Sequence, residues 1–147
     1  MTLTIAGDDY LLYQCKNVEG YLDALQQLMS AENLSKNAAH QKLCEDKAIA
    51  DRYNFDGAQF IKSMNGHNYD DGEFDLQSIM LYPSNAYASQ QCEWGDKYAC
   101  PLLQYVKIGD KNAGVERIPD HLEPSVKDIA WLKKWYPWVG AGSGQAS

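Results

Sequence analysis

Apolar residues recur at helical spacing in three stretches of the chain. Val18, Tyr21, Leu22, Leu25, Leu28 and Met29 form one stripe at the i, i+3, i+4, i+7 intervals of an amphipathic helix, with Glu19, Asp23, Gln26 and Gln27 on the other side. Asn17 is its expected N-cap. A second helix is expected from Ser35 as N-cap, with Leu34 as hydrophobic staple, through Ala39, Leu43, Cys44 and Ala48 towards Tyr53. Asp56 is expected to cap a short third helix bearing Phe60, Ile61 and Met64. Pro124-Ser125-Val126-Lys127-Asp128 is a strong helix start, a capping Ser with an acid three residues on. That last helix carries Ile129, Leu132 and Trp135 and stops at Pro137.

Strand signals are fewer. Leu11, Leu12 and Tyr13, after an acidic turn at Asp8-Asp9, suit a short strand. Residues 102–108 and 115–118 are strand-like and predict a hairpin with a long loop from Gly109 to Gly114. Residues 65–72 are dense in turn formers, and the apolar run from Phe74 to Tyr82 has no clean period. The Gly/Ser-rich residues 140–147 read as a mobile tail. The expectation is one domain over residues 1–139, mainly α with a minor β component.

Composition narrows the classes. A 147-residue chain that is 45% hydrophobic and 12% aromatic can bury a core, which excludes disorder as its main state. A net charge of -7, with Lys133-Lys134 as the longest basic run, excludes nucleic acid as a partner. No stretch reaches the ~18 apolar residues of a membrane span, and residues 1–5 are too short for a leader h-region. Four cysteines admit three pairings. Cys15–Cys44 and Cys92–Cys100 are favoured because each pair brackets a local unit. Two bridges suit a secreted, extracellular protein. No C-x-x-C pair is present for thiolate zinc.

The segment Asp75-Leu76-Gln77-Ser78-Ile79-Met80-Leu81-Tyr82 resembles the Met-turn, Ser-Ile-Met-x-Tyr, of astacin-like metzincin zinc metallopeptidases. Residues 8–17 are similar to the family stretch after the zinc-binding helix. Residues 124–137 are similar to its closing helix. The Cys15-to-Cys44 insert suggests a secreted fungal branch. The resemblance covers most of residues 8–138 and implies the fold of a C-terminal subdomain, stapled by disulfides. It implies that Ser78, Ile79 and Met80 form a structural floor beneath a metal. It also implies that Tyr82 is catalytic once a zinc-binding half completes the site.

The family chemistry requires H-E-x-x-H-x-x-G-x-x-H. None of His40, His67 and His121 begins that motif. The expectation is therefore a truncated or degenerate peptidase lobe, starting just downstream of the zinc helix. It would hold no cofactor of its own (zinc in the resembled family) and would be inactive alone. The alternative is a secreted non-enzymatic binding or effector protein on the same lobe. The expected partner is a protein or peptide, with homodimerisation through an exposed apolar face. Competing structural roles are a gap-filling core position for Met80 and a half-buried aromatic for Tyr82. His40 is expected on a helix surface, His67 in a loop and His121 near a turn. Asp70, Asp71, Glu73 and Asp75 read as a solvated acidic loop rather than a calcium site. Of Trp131, Trp135, Tyr136 and Trp138, two are expected to pack the last helix onto the body.

Overall fold

The computed structural model describes residues 10–61, 74–109 and 111–137. Its class is mixed α+β. The described residues form β1 (Leu11–Tyr13), α1 (Tyr21–Glu32), α2 (Lys36–Glu45), α3 (Lys47–Arg52), α4 (Gln90–Glu93), β2 (Leu102–Ile108), β3 (Lys111–Glu116) and α5 (Val126–Trp135). Short 3-10 turns lie at Cys15–Asn17, Asp56–Phe60 and Lys97–Ala99. The three strands pair antiparallel in the order β1-β2-β3. All four cysteines are bridged, Cys15 to Cys44 and Cys92 to Cys100.

The pleat sorts the core into two faces. Successive strand residues point to opposite sides. Leu11 and Leu102 therefore enter a large cluster with Val18, Leu25, Leu28, Leu43, Phe55 and Phe60. Leu12 and Leu103, cross-strand partners, enter a small cluster around Cys92 and Cys100. The sheet is covered by helices on one face and by the second disulfide unit on the other. Closing the longer loop restricts the unfolded chain by roughly 3.5 kcal/mol and the shorter by roughly 2.5 kcal/mol on the chain-entropy account.

Four local expectations are corrected. Asn17 does not cap α1. That place belongs to Gly20 in the left-handed region, φ 80°. Asn17 instead closes the 3-10 turn and donates its amide to the Tyr98 and Cys100 carbonyls at 2.8 and 3.1 Å. Within α1, Leu22 is 72% exposed, because it lies about 100° round the helix from Tyr21. The second helix does not run unbroken to Tyr53. Asp46 Oδ1 accepts the Ala48 and Ile49 amides at 2.9 and 3.2 Å, ending α2 and starting α3. Ser35 caps α2 as expected. The third helix is only a 3-10 turn at Asp56–Phe60, with no side-chain cap, and Met64 lies outside the described residues. Its tightness is set by Gly57, where a Cβ would come within 2.8 Å of Tyr13 Oη and closer still to the Phe55 ring.

The hairpin forms, but β3 begins at Lys111 rather than at residue 115, with Ile108 opposite Lys111. Gly109, at φ 62°, permits that early return. Ile118 lies beyond the strand. It is buried and exchanges two hydrogen bonds with Ser84: its amide donates to Ser84 Oγ at 2.7 Å, and its carbonyl accepts from Ser84 N at 3.0 Å. No helix among the described residues is long and apolar enough to cross a membrane. The Asp8-Asp9 turn, the loop at residues 65–72 and the tail at 140–147 lie outside the described residues.

The two readings of Asn17 separate in one variant. Asp is an excellent N-cap but cannot donate. Asn17→Asp is expected to destabilise the fold by about 1–3 kcal/mol, since a carboxylate would face two carbonyls. Urea unfolding measures this, and an unchanged or raised midpoint would restore the cap.

Candidate functional site: the turn at residues 75–82 and its anchor

The run without clean periodicity becomes a chain of tight turns. Asp75 Oδ1 accepts the Gln77 amide at 3.0 Å, and Asp75 O accepts Ser78 N at 3.3 Å. Ser78 then closes the next turn, its carbonyl accepting from Leu81 N at 3.1 Å and its Oγ from Met80 N at 3.1 Å. Leu81 is buried in the main cluster and Ser78 is buried beside it. Between these two anchors Ile79 is 41% exposed and Met80 68% exposed. The core role for Met80 is thereby overturned. The turn is pinned at both ends, which leaves the thioether at its tip.

Asp128 holds this turn from 50 residues away. Its Oδ1 accepts from Ser78 Oγ at 2.6 Å, and its Oδ2 accepts from Ile79 N and Ser125 N, both at 2.9 Å. Ser125 Oγ accepts the Asp128 amide at 2.9 Å, completing the capping box of α5. The same hydroxyl donates to Asp75 Oδ2 at 2.5 Å. Two serines and two aspartates thus link the turn to the first turn of α5. Burial opposes ionisation of Asp128, but the hydrogen bonds from Ser78, Ser125 and Ile79 outweigh it and lower its pKa.

The first turn of the last helix is thus held by polar contacts. None of its residues is buried: Ile129 is 41%, Leu132 49% and Trp135 46% exposed. Trp131 is half-buried and meets Tyr136 with ring centroids 6.0 Å apart. Trp138 lies outside the described residues.

Tyr82 follows the turn and is half-buried. Its ring meets Phe60 edge-on at 5.5 Å and Tyr87 at 6.0 Å, and Phe60 and Tyr87 also lie 6.0 Å apart. Such separations are direct ring packing and leave no cage between the rings. Tyr87 takes a left-handed backbone, φ 57°, uncommon for a bulky residue. Its carbonyl is held by Glu19 N at 2.9 Å. Neighbouring Tyr82, then burial, then Asp56 raise the Tyr87 pKa.

The sequence-derived residues are only partly brought together. Ser78, Ile79, Met80 and Tyr82 share one continuous segment. His40 is exposed on α2 and pairs with Tyr21 Oη at 2.6 Å. His121 is half-buried, and its Nε2 is enclosed without a partner. His67 and the acidic residues 70–73 lie outside the described residues, whereas Asp75 is a turn and cap ligand rather than a solvated loop acid. Among the described residues no three His, Cys, Asp or Glu side chains converge on a point that would hold a metal. The donors here do not fit a zinc ion, since the cysteines are bridged and each described His stands apart. Spacing revealed Asp128 as a capping residue but not as the anchor of the turn. The sequence placed Asp75 at the head of the turn segment but not as a partner of Ser125, and Tyr87 carried no signal beyond its type. No family model, curated protein or solved structure matches the chain.

Because the folded Asp128 carboxyl ionises below its ordinary value of 3.8, its contribution to stability is complete above that pH and is lost as the pH falls below it. Asp128→Ala is expected to cost on the order of 2 kcal/mol at neutral pH. Its stability deficit should shrink on acidification below about pH 4, followed by chemical denaturation at each pH. A pH-independent deficit would show that the carboxylate charge contributes nothing.

Proposed function

We propose that the chain is a lobe of an astacin-like zinc metallopeptidase, secreted, and acting on protein or peptide substrates once joined to a zinc-binding half. One observation carries this reading: a methionine held exposed at the tip of a turn that a distant carboxylate locks. A residue meant for the core would be covered. One meant to form an apolar floor under a metal site needs this exposure together with a rigid backbone. Tyr82, two residues on, stands in an aromatic wall that fixes its ring. Its hydroxyl is suited to stabilising developing negative charge on a bound peptide. Zinc in the complete enzyme would polarise the attacked carbonyl and its water. The present residues provide the floor and the phenol, and the ligands must come from elsewhere.

A second reading, a secreted non-enzymatic binding protein, draws on α5. Its partly exposed residues Ile129 and Leu132 lie on the helix whose cap anchors the turn bearing Ile79 and Met80. Aliphatic side chains exposed together on one element are common at protein interfaces.

The transcript upstream of the Met1 codon separates the two. The peptidase reading expects H-E-x-x-H-x-x-G-x-x-H encoded there. A protein extended to include it should bind one zinc and cleave a denatured protein substrate. Tyr82→Phe should then lower kcat by roughly tenfold or more. An in-frame stop codon with no such motif overturns the peptidase reading. Independently, the 147-residue chain dialysed against zinc and then buffer should retain well under one ion per molecule. A tightly held stoichiometric ion would show that the ligands lie within this chain.

A further inference from the structure

The two disulfides differ in exposure and in company. Cys92 and Cys100 are both fully buried, with Arg117 Nη2 at 3.2 and 3.4 Å from their sulfurs. Cys15 is also buried, but Cys44 is half-exposed on α2. One helical turn before Cys44, the Nδ1 of exposed His40 lies 3.6 Å from Cys44 Sγ. The i, i+4 spacing places the imidazole beside the sulfur. Tyr21, buried on α1, holds the same nitrogen at 2.6 Å and meets the His40 ring edge-on. The imidazole is therefore positioned rather than free to swing.

Thiol–disulfide exchange requires an attacking thiolate to reach one sulfur. It proceeds faster when the sulfur that departs is stabilised as a thiolate. A hydrogen-bond donor or cation beside a cysteine provides that stabilisation. Arg117 provides it at the second bridge, but both sulfurs there are closed to an attacker. Of the four cysteines only Cys44 is not buried, and the His40 imidazole stands beside its sulfur.

We propose that Cys44 is a thiol-exchange site, at which an external dithiol opens the Cys15–Cys44 bridge while Cys92–Cys100 stays closed. One thiolate of the dithiol attacks Cys44 Sγ. The S–S bond breaks, Cys15 departs as a thiolate and takes a proton from water, and a mixed disulfide remains on Cys44. The second thiolate of the reagent attacks its own linked sulfur. Cys44 departs as a thiolate beside the His40 imidazole and takes a proton from water. The reagent leaves as a cyclic disulfide, and the protein gains two thiols. Opening this bridge releases the 3-10 turn at Cys15–Asn17 from α2. The Gln14 and Asn17 side chains still tie that turn to the Cys100 carbonyl. The consequence is a local loosening of the helical hairpin with the sheet kept. This inference does not rest on the peptidase reading.

The test treats the oxidised chain with excess dithiothreitol, alkylates at intervals and maps the labelled cysteines by peptide mass spectrometry. Cys15 and Cys44 should be labelled at least roughly tenfold faster than Cys92 and Cys100, with far-UV circular dichroism retained. His40→Ala, a helix-compatible change, should slow the second step, departure of Cys44 from the mixed disulfide, roughly fivefold. In Cys15→Ser, oxidised glutathione should form a mixed disulfide on Cys44. Simultaneous labelling of both pairs, opening only with loss of the dichroism signal, or an unchanged rate of mixed-disulfide resolution in His40→Ala would each overturn the proposal. Should Cys15→Ser fail to fold, the comparison of the wild-type chain with His40→Ala is decisive by itself.

Discussion

The carboxylate of Asp128 is the constraint on which the C-terminal third of the fold depends. It accepts three hydrogen bonds at once, two from the turn at Ser78–Ile79 and one from the start of its own helix. Charge-assisted bonds of this kind are the stronger class, and each donor left unmet on partial burial would carry its own desolvation cost. The arrangement explains why a turn with two apolar residues exposed at its tip holds one shape. It also explains how a helix with no buried residue stays docked. Ten residues are too few for an isolated helix to persist in water, and no residue of α5 is fully buried. Its first turn is ordered by its cap.

Elsewhere the fold is held by other means. The sheet has only three strands, and β1 has only three residues. Backbone and side-chain bonds extend that short edge. Gln14 N donates to Pro101 O at 2.7 Å, and Gln14 Nε2 and Asn17 Nδ2 both reach the Cys100 carbonyl. These bonds place the Cys15 neighbourhood directly against the Cys100 neighbourhood. The two disulfide units thus meet across the sheet, and the small apolar cluster at Cys92, Cys100 and Leu103 is sealed by them. A core this thin needs such covalent support.

Much of this architecture was legible in the chain. The stripe through Tyr21, Leu25 and Leu28, the caps Ser35 and Ser125 and strand Leu102–Ile108 all stand where local chemistry places them. What escaped were residues with two competing uses. Asn17 has the right type for a cap, but its amide stabilises more as a donor to two carbonyls in the second disulfide unit. Asp46 sits inside an apolar period that runs past it, yet its carboxylate captures two amides and divides the helix. At the site, the type and order of Ser78, Ile79, Met80 and Tyr82 were readable, whereas the exposure of Met80 was not. Exposure depends on which neighbours pin the turn, and the partner that does so lies 50 residues away. No local period encodes that distance.

The coupling of turn and helix through one carboxylate has a dynamic consequence. Local opening follows the elements with the fewest buried contacts. By that measure α5 is the first helix to leave, since none of its residues is buried, whereas α1 and α2 each bury residues in the main cluster. If the first turn of α5 unwinds, Ser125 and Asp128 lose their geometry together, and Ser78 and Ile79 lose their acceptor at the same moment. Leu81 would still hold the far end of the turn in the core. The tip bearing Ile79 and Met80 would then move as a loop tethered at one side. Rigidity at Met80 therefore originates at the helix N-terminus.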